Sequence, residues 1–292
     1  MTPSLTRTTG TTAAISGLVA NTQYSFTVSA FDAAANASPQ SAPLAVTTPS
    51  AASAQILWRA GMETGTLSEW SEKVNSGAAD SWAVTAASEG IPPKSGNWVM
   101  KQSVTGTVGG TRMIRYPEVD SLAKAGTTFY VSWWDYYPTK VTFSIYDMFS
   151  IFQICSRDAN GLYSPIWTLD FRPSGAALQL NWSPNNMAPS AGPHVGESGK
   201  RFYLGSVPVP VGQWVFFEVM ITPAADFSGE VKVSMNGTVI FDQTQVKTRF
   251  PDGGVGGFMY VQHTAYGSNL NPTPYSHYID DVAISPGSMY AP

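Results

Sequence analysis

The chain has 292 residues with a formal net charge of −4, and 12% of its residues are charged and 12% aromatic. It has no basic run and no apolar run near the roughly 20 residues of a membrane helix, which argues against nucleic-acid partners and membrane insertion. The single cysteine, Cys155, excludes an intramolecular disulfide and a centre of several thiolates. The 26 glycines and 21 prolines are typical of a turn-rich all-β protein.

Residues 1–48 form the first predicted domain. Tyr24, Phe26 and Val28 alternate with polar residues, as in a half-buried strand. With Leu18 ahead of Tyr24, the segment GLVANTQYSFTVSAFD resembles the C-terminal half of a fibronectin type III domain, which carries a tyrosine corner at this spacing. The resemblance implies that the chain begins inside a domain. An open half-sandwich exposes strand edges, so self-association through these residues is a further expectation.

Residues 56–285 form the second predicted domain, between a small-residue linker at 49–55 and a tail at 286–292. Short runs of period two, separated by Gly, Pro and Asn turns, predict a two-sheet antiparallel jelly-roll sandwich. Helical periodicity is confined to Glu118–Lys124. The predicted strands are 129–137, 143–155, 166–172, 177–182, 214–222, 230–241, 257–266 and 277–285, with an Asn-Gly hairpin at 236–237.

Three segments of this domain resemble concanavalin A-like jelly rolls. GMETGTLSEW (61–70) resembles their opening, YIDDVAIS (278–285) their closing strand, and residues 212–241 a stretch of the heparin-lyase-like, glucuronan and alginate lyases. Such lyases cleave uronic-acid polymers by β-elimination, which needs a neutraliser of the carboxylate, a base and an acid. Carbohydrate-binding modules share the same frame, so the resemblance alone leaves the chemistry open.

The lyase resemblance implies a set of catalytic residues. A Gln-x-His pair and a Lys-x-Gly-x-Tyr-x-Gln strand line the concave sheet of the relatives, and a spacing of two keeps each set on one face. Here Gln153, Tyr260 and Gln262 match, whereas Cys155 replaces the His and Gly256 the Lys. Tyr260 alone can then act as base and acid, as in syn-eliminating members. Cys155 is retained as a substrate-binding candidate.

Arg112 and Arg115, in TRMIRYPE, correspond to an arginine-rich strand that binds substrate carboxylates in the relatives. The resemblance implies a catalytic role for Arg112 and a substrate-binding role for Arg115, since a guanidinium binds a carboxylate through two hydrogen bonds. The alternative is an ion pair with Glu118 or Asp120 at the surface.

Aromatic and imidazole side chains supply further substrate-binding candidates. Trp134 and Tyr136 share one strand face and offer flat rings on which sugars stack, although most large rings of a sandwich fill its core. Tyr266 and His277 are expected at the rim of the site. His263 would share its face with core residues and is expected to be buried.

Glu63 and the Asp280-Asp281 pair are the predicted metal ligands. The related jelly rolls pair their first and last strands and hold a structural calcium there, so the resemblance implies a Ca²⁺ site with oxygen ligands. The alternative is a surface carboxylate pair. The Glu-x-Asp-x-x-Glu pattern of jelly-roll glycoside hydrolases is absent, which argues against retaining hydrolysis.

Three functions follow from these observations. The leading interpretation is a secreted or cell-surface jelly roll that binds polysaccharide without catalysis, because the His and Lys of the lyases are missing. The second is a polysaccharide lyase with Tyr260 as base and acid. The third is a structural surface or fibre subunit that associates through residues 1–48.

Overall fold

The computed structural model describes residues 22–34, 36–47, 55–145, 147–158, 161, 163–171, 177–182, 202–251 and 257–290. Leu18, Gly256 and most of the predicted linker therefore lie outside the described residues. The chain divides into two compact units, Met1–Ala54 and Gln55–Pro292. No helix among the described residues is long and apolar enough to cross a membrane.

The first unit contains a two-stranded antiparallel sheet. Strand β1 (Gln23–Phe26) pairs with β2 (Leu44–Thr47), and Tyr24 lies opposite Val46. Tyr24 and Phe26 are half-buried and alternate with exposed residues, as the sequence pattern predicts. The fibronectin type III assignment stays a prediction.

The second unit is an antiparallel sheet of thirteen strands. Its described residues contain one α-helix, α1 (Pro117–Lys124), and a 3-10 turn at Ala86–Glu89. The all-β jelly-roll prediction is therefore confirmed for this unit. The strands are β3 (Trp58–Ala60), β4 (Glu72–Thr85), β5 (Trp98–Arg115), β6 (Phe129–Tyr136), β7 (Phe149–Arg157), β8 (Tyr163–Phe171), β9 (Ala177–Trp182), β10 (Phe202–Pro208), β11 (Trp214–Thr222), β12 (Gly229–Met235), β13 (Thr238–Val246), β14 (Phe258–Ser268) and β15 (Tyr275–Ser285).

The strands form two layers that share the long β4–β5 hairpin. The front sheet runs β10-β9-β8-β7-β14-β5, and the back sheet runs β13-β12-β11-β6-β15-β5. β5 belongs to both, because its residues 108–115 pair with β14 and its residues 100–104 pair with β15. β4 follows β5 around this corner.

A register shift in the hairpin produces the corner. Gly77 lies opposite Gly109, but Ala79 lies opposite Val104, so β5 carries extra residues at this point. Bulges of this kind bend a strand and increase its twist. A Cβ on Gly109 would lie 2.6 Å from the Ala78 carbonyl oxygen, so a residue without a side chain is needed where the two strands bend together.

The core lies between the two layers. The ring of Trp133 from the back sheet stacks on that of Phe152 from the front sheet, with 4.9 Å between centroids. Phe217 completes the stack at 5.4 Å from Trp133. Trp133 is fully buried, whereas Trp134 is half-buried on the outer face, as alternation along β6 requires.

Candidate active site

A cavity of about 780 Å³ lies on the outer face of the front sheet, beside helix α1. The cavity lies over one face of strands β4, β5, β14 and β7. Side chains from these four strands and from helix α1 line it. The lining residues are Glu72, Val74, Arg112, Ile114, Tyr116, Asp120, Lys124, Arg157, Gly257, Phe258, Tyr260 and Gln262.

Strand β14 supplies the floor of the cavity. Phe258, Tyr260 and Gln262 line it, because residues two apart lie on the same strand face. The intervening residues belong to the core, and His263 is fully buried with its ring 4.7 Å from that of Trp133. The prediction that His263 is a core residue is confirmed.

Tyr260 lies in a small apolar cluster within the cavity wall. It is opposite Cys155 on β7, and both contact Ile114 of β5 in the same cluster. Tyr260 is 5% exposed and Cys155 is fully buried. Cys155 therefore packs beside Tyr260, and its thiol is not exposed to a ligand.

Gln153 and Gln262 form a hydrogen-bonded pair next to Tyr260. They are register partners on β7 and β14, and the Gln262 Nε2 donates to Gln153 Oε1. The Gln153 Nε2 in turn donates to Ser150 Oγ at 3.1 Å. The Oε1 atom of Gln262 is buried and has no hydrogen-bond partner among the described residues. A buried polar atom without a partner is costly, so this carbonyl is available to a ligand.

Arg112 reaches the cavity from β5, opposite Thr264 of β14. Its guanidinium lies 4.9 Å from the centroid of the Tyr266 ring. That ring covers Gly110, where a Cβ would be 2.1 Å from Tyr266 Cδ2. Gly110 thus makes room for the ring, and the ring holds the arginine at the edge of the cavity.

Arg115 lies on the opposite face of the same strand, three residues after Arg112. Its Nε and Nη2 donate to the two carboxylate oxygens of Glu118 at 2.7 and 2.6 Å. Its guanidinium also lies 5.0 Å from the centroid of the Trp58 ring. The structure therefore places Arg115 outside the cavity, in the ion pair that the sequence offered as its alternative role.

Several cavity residues were missing from the sequence predictions, among them Tyr116, Arg157 and Phe258. The Phe258 ring lies 5.5 Å from that of Tyr260 and 5.9 Å from that of Tyr116. The Arg157 guanidinium lies 5.2 Å from the Phe258 centroid. The signal was present in the sequence, because Arg157 continues the Gln153-x-Cys155 alternation and Phe258 precedes Tyr260 by two.

Comparison with known proteins identifies the family to which the chain belongs. The sequence model of a family described as polysaccharide lyase matches residues 62–283, which is more than half of the chain. The chain belongs to the polysaccharide lyase family. No curated protein matches it in sequence.

Solved structures of similar fold agree with this family. An endo-β-1,4-glucuronan lyase from the fungus Trichoderma reesei has a TM-score of 0.56 at 12% identity, over 81% of this chain and 98% of that one. The alginate lyase vAL-1 from Chlorella virus has a TM-score of 0.55 at 12% identity, over 79% and 99%. The alginate lyase from Aplysia kurodai has a TM-score of 0.52 at 11% identity, over 79% and 99%. These likenesses confirm the predicted fold.

Family membership also bears on the competing interpretations. It confirms the resemblance to glucuronan and alginate lyases and supports polysaccharide as the partner. It favours the lyase interpretation over binding without catalysis, which the sequence alone had placed first. The fibre-subunit interpretation gains no support from it.

The structure does not bring Trp134 and Tyr136 to the lyase cavity. Both are on β6 in the back sheet, with their side chains on its outer face. The Lys94 ammonium lies 3.6 Å from the centroid of Trp134, and the Tyr136 ring packs 5.4 Å from that of Trp214. Alternation placed the two on one face, but the sequence could not show which sheet β6 joins.

His277 is a core residue of this lyase fold and does not lie at its rim. It is fully buried, and its Nδ1 lies 2.8 Å from Asp135 Oδ1. Its ring is parallel to that of Tyr137, with 5.7 Å between centroids. The reason is again alternation, because Tyr278 takes the outer face of β15 and His277 must take the inner one.

Two of the predicted calcium ligands, Glu63 and Asp280, accept hydrogen bonds from backbone amides of residues 95–98, but each carboxylate has its own donors. Glu63 accepts from the Asn97 and Trp98 amides at 3.0 Å each, and Asp280 accepts from the Asp281 amide at 2.7 Å. Asp281 forms an ion pair with Arg59. Burial and then the Asp281 charge raise the pKa of Asp280 to about 7, with a smaller contribution from Glu63.

These carboxylates therefore repel one another without converging on one point. No group of three or more His, Cys, Asp or Glu side chains in the described ranges is arranged to hold a metal ion. Calcium binding by this chain stays a prediction.

Proposed function

We propose that the protein is a polysaccharide lyase that cleaves a uronic-acid glycan by β-elimination, with Tyr260 as both base and acid. The observation that carries this proposal is the arrangement in one cavity of Tyr260, Gln262 and Arg112, with Gln262 held by its hydrogen bond to Gln153. Membership of the polysaccharide lyase family supports it independently.

The proposed reaction moves one proton. The Tyr260 phenolate oxygen takes the proton from C5 of the uronate, the C4–O4 bond breaks, and a C4=C5 double bond forms. The same phenol then gives its proton to the departing O4. Both transfers occur on one face of the sugar, and positive charge near the ring favours the phenolate that begins the cycle.

Tyr260 takes both roles because the fold buries the other candidate bases. Cys155 stands where the relatives carry an imidazole, and it is fully buried opposite Tyr260 on the neighbouring strand. The nearest histidine in sequence, His263, is turned into the core, where burial lowers its pKa to about 3. Of the groups considered as bases, Tyr260 is the one that lines the cavity.

The uronate carboxylate needs a partner, since its neutralisation makes the C5 proton more acidic. We assign this role to Arg112, a cation that lines the cavity, and the second Nε2–H of Gln262 adds a hydrogen bond to the carboxylate. The Gln262 amide is held in place by the chain of hydrogen bonds that ends at Ser150. Such preorganised donors favour charge that develops in the transition state. A polymeric substrate of this kind also supports a secreted or cell-surface location.

The test is ultraviolet absorbance of unsaturated uronate during incubation with alginate, glucuronan, pectate, hyaluronan and heparin. We expect a rise on at least one of these polymers. Tyr260→Phe should abolish the rise and preserve binding, because the ring stays and only its hydroxyl is lost.

Tyr130→Phe is the matched control. Tyr130 is half-buried on β6 of the back sheet, away from the cavity, so the loss of its hydroxyl should leave the rate unchanged. A flat trace on all five polymers would contradict the proposal. Retained binding with a flat trace would restore the non-catalytic interpretation.

A further inference from the structure

The end of the cavity beside helix α1 contains a second arginine held on an aromatic ring. Arg157 is exposed at the end of β7 and lies opposite Phe258 of β14. Its guanidinium covers the Phe258 ring at 5.2 Å, as that of Arg112 covers Tyr266 at 4.9 Å. An aromatic face orients a guanidinium and leaves its edge free to donate to a carboxylate.

The other charges at this end are already neutralised. The Lys124 ammonium lies 2.8 Å from Asp120 Oδ2, and Asp120 Oδ1 accepts from the Met259 amide at 3.2 Å. No ion pair with a described acidic residue engages Arg157. Its positive charge is therefore available to an anionic ligand, whereas that of Lys124 is not.

An aromatic surface connects Arg157 to the proposed base. The rings of Tyr116, Phe258 and Tyr260 follow one another at 5.9 and 5.5 Å, and Tyr116 is 38% exposed. Sugar rings stack on such flat apolar surfaces while polar groups at the edge bind their substituents. A stacking surface with a free guanidinium beside it suits a sugar that carries a carboxylate.

The two arginines lie far apart along the strand. Arg112 is opposite Thr264 and Arg157 is opposite Phe258, and these residues of β14 are separated by six positions. At a rise of about 3.4 Å per residue, the two positions differ by about 20 Å along the strand. One sugar cannot reach both, so a ligand that uses both must be a chain of several uronates.

We propose that Arg157, with the Phe258 and Tyr116 rings, forms a second carboxylate-binding subsite for the same polyuronate chain. This inference rests on the proposed lyase function. It specifies a linear polyanion bound at both ends of the cavity, and hence cleavage within a polymer in preference to its ends.

The experiment measures dissociation constants by calorimetry in the Tyr260→Phe background, which holds the ligand uncleaved. The probes are alginate and glucuronan hexasaccharides and the same oligomers with their carboxylates reduced to alcohols. We expect Arg157→Gln to weaken binding of the acidic oligomers about tenfold. It should change binding of the reduced oligomers by less than twofold.

Lys124→Gln is the matched control, because it removes a cation of the same cavity that Asp120 already neutralises. It should weaken binding less than twofold. Phe258→Leu keeps the arginine but removes its ring and should give an intermediate loss for the acidic oligomers. Because Arg157 is exposed, an unchanged melting temperature will show that its variant is folded.

An equal loss in the Arg157 and Lys124 variants, or an equal loss for acidic and reduced oligomers, would overturn the subsite. So would tight binding that Arg157→Gln leaves unchanged. These outcomes differ from failure of the lyase proposal, in which no polymer gives an absorbance rise, whatever the Arg157 variant does to binding.

Discussion

The two faces of strand β14 differ in whether their polar side chains can reach a ligand. On one face Tyr260 and Gln262 line a cavity next to two arginines. On the other, His263 is enclosed by the rings of Trp133, Phe152 and Trp70 at 4.7, 5.2 and 5.5 Å. Residue type alone would have chosen the histidine as the base, since its ordinary pKa is close to neutral.

The difference shows that the face of the strand on which a side chain lies decides whether it can react with a substrate. The core face removes the imidazole from water, which lowers its pKa to about 3, with the His277 charge contributing. Neither ring nitrogen of His263 has a hydrogen-bond partner among the described residues. A group in that position stays neutral and cannot exchange protons with a substrate on the other side of the sheet.

The largest expected effect comes from Tyr260, the residue on the cavity face that we assign as the base. Tyr260→Phe should lower kcat/KM by about 10²–10⁴-fold, because it removes the only proton carrier that we assign. His263→Leu should leave kcat/KM within about twofold, since it alters the core face alone. The measurement is initial rates of unsaturated uronate formation on the polymer that responds best. A His263 variant as inactive as the Tyr260 variant would show that the core face of β14 also takes part in the reaction.

Much of this sheet was predictable from sequence. The predicted strands 177–182 and 214–222 have the observed bounds Ala177–Trp182 and Trp214–Thr222. The predicted helix 118–124 is observed as Pro117–Lys124. These segments are periodic and end at Gly, Pro or Asn. The long β4 and β5 were not predicted, because glycines and small polar residues weaken their alternation at the corner where both change sheets.

The candidate site was predictable only in part. Alternation is a local property, so it placed Gln153, Tyr260 and Gln262 on matching faces. Sheet membership is not local, and for that reason Trp134 and Tyr136 were assigned to the cavity although β6 lies in the back sheet. The spacing of three between Arg112 and Arg115 already implied opposite faces, and applying that rule would have separated them.

The second prediction concerns the core face and pH. The pKa of His263 in the folded state is lowered from the usual 6.5 to about 3. Its contribution to stability is therefore fully present above pH 6.5 and is lost as the pH falls from 6.5 towards 3. His263→Leu removes the loss. Between pH 7 and pH 4 we expect the variant to lose about 3 kcal/mol less unfolding free energy than the natural chain. Urea denaturation at the two pH values measures it, and equal losses would contradict it.

The third prediction sharpens the comparison on β5, where two arginines three residues apart take different faces. Arg112→Gln should raise KM about tenfold with an unchanged melting temperature, because it removes a charged contact to substrate. Arg115→Gln should preserve KM and lower stability by about 1–2 kcal/mol, because it breaks the two-bond pair with Glu118. Rates and thermal melts on both variants separate the two roles. An exchange of these phenotypes would reverse the assignment of faces.

The smallest expected effect comes from Asp280 on β15, and its pH dependence has the opposite sign to that of His263. An acid whose pKa is raised to about 7 in the folded state stabilises the fold at low pH, and this contribution is lost as the pH rises from about 4 to 7. Asp280→Asn removes that dependence, and its effect should be about 1 kcal/mol because the Ser95 and Asp281 amides stabilise the charged carboxylate against its burial. Melts at pH 5.5 and 8 measure it. If calcium binds here as predicted, about 5 mM CaCl₂, which exceeds the roughly 1 mM upper end of dissociation constants for extracellular Ca²⁺ sites, should stabilise the natural chain at pH 8 and not the variant. Calcium would then replace the proton as the partner of Asp280, so stabilisation of both proteins alike would place the ion elsewhere.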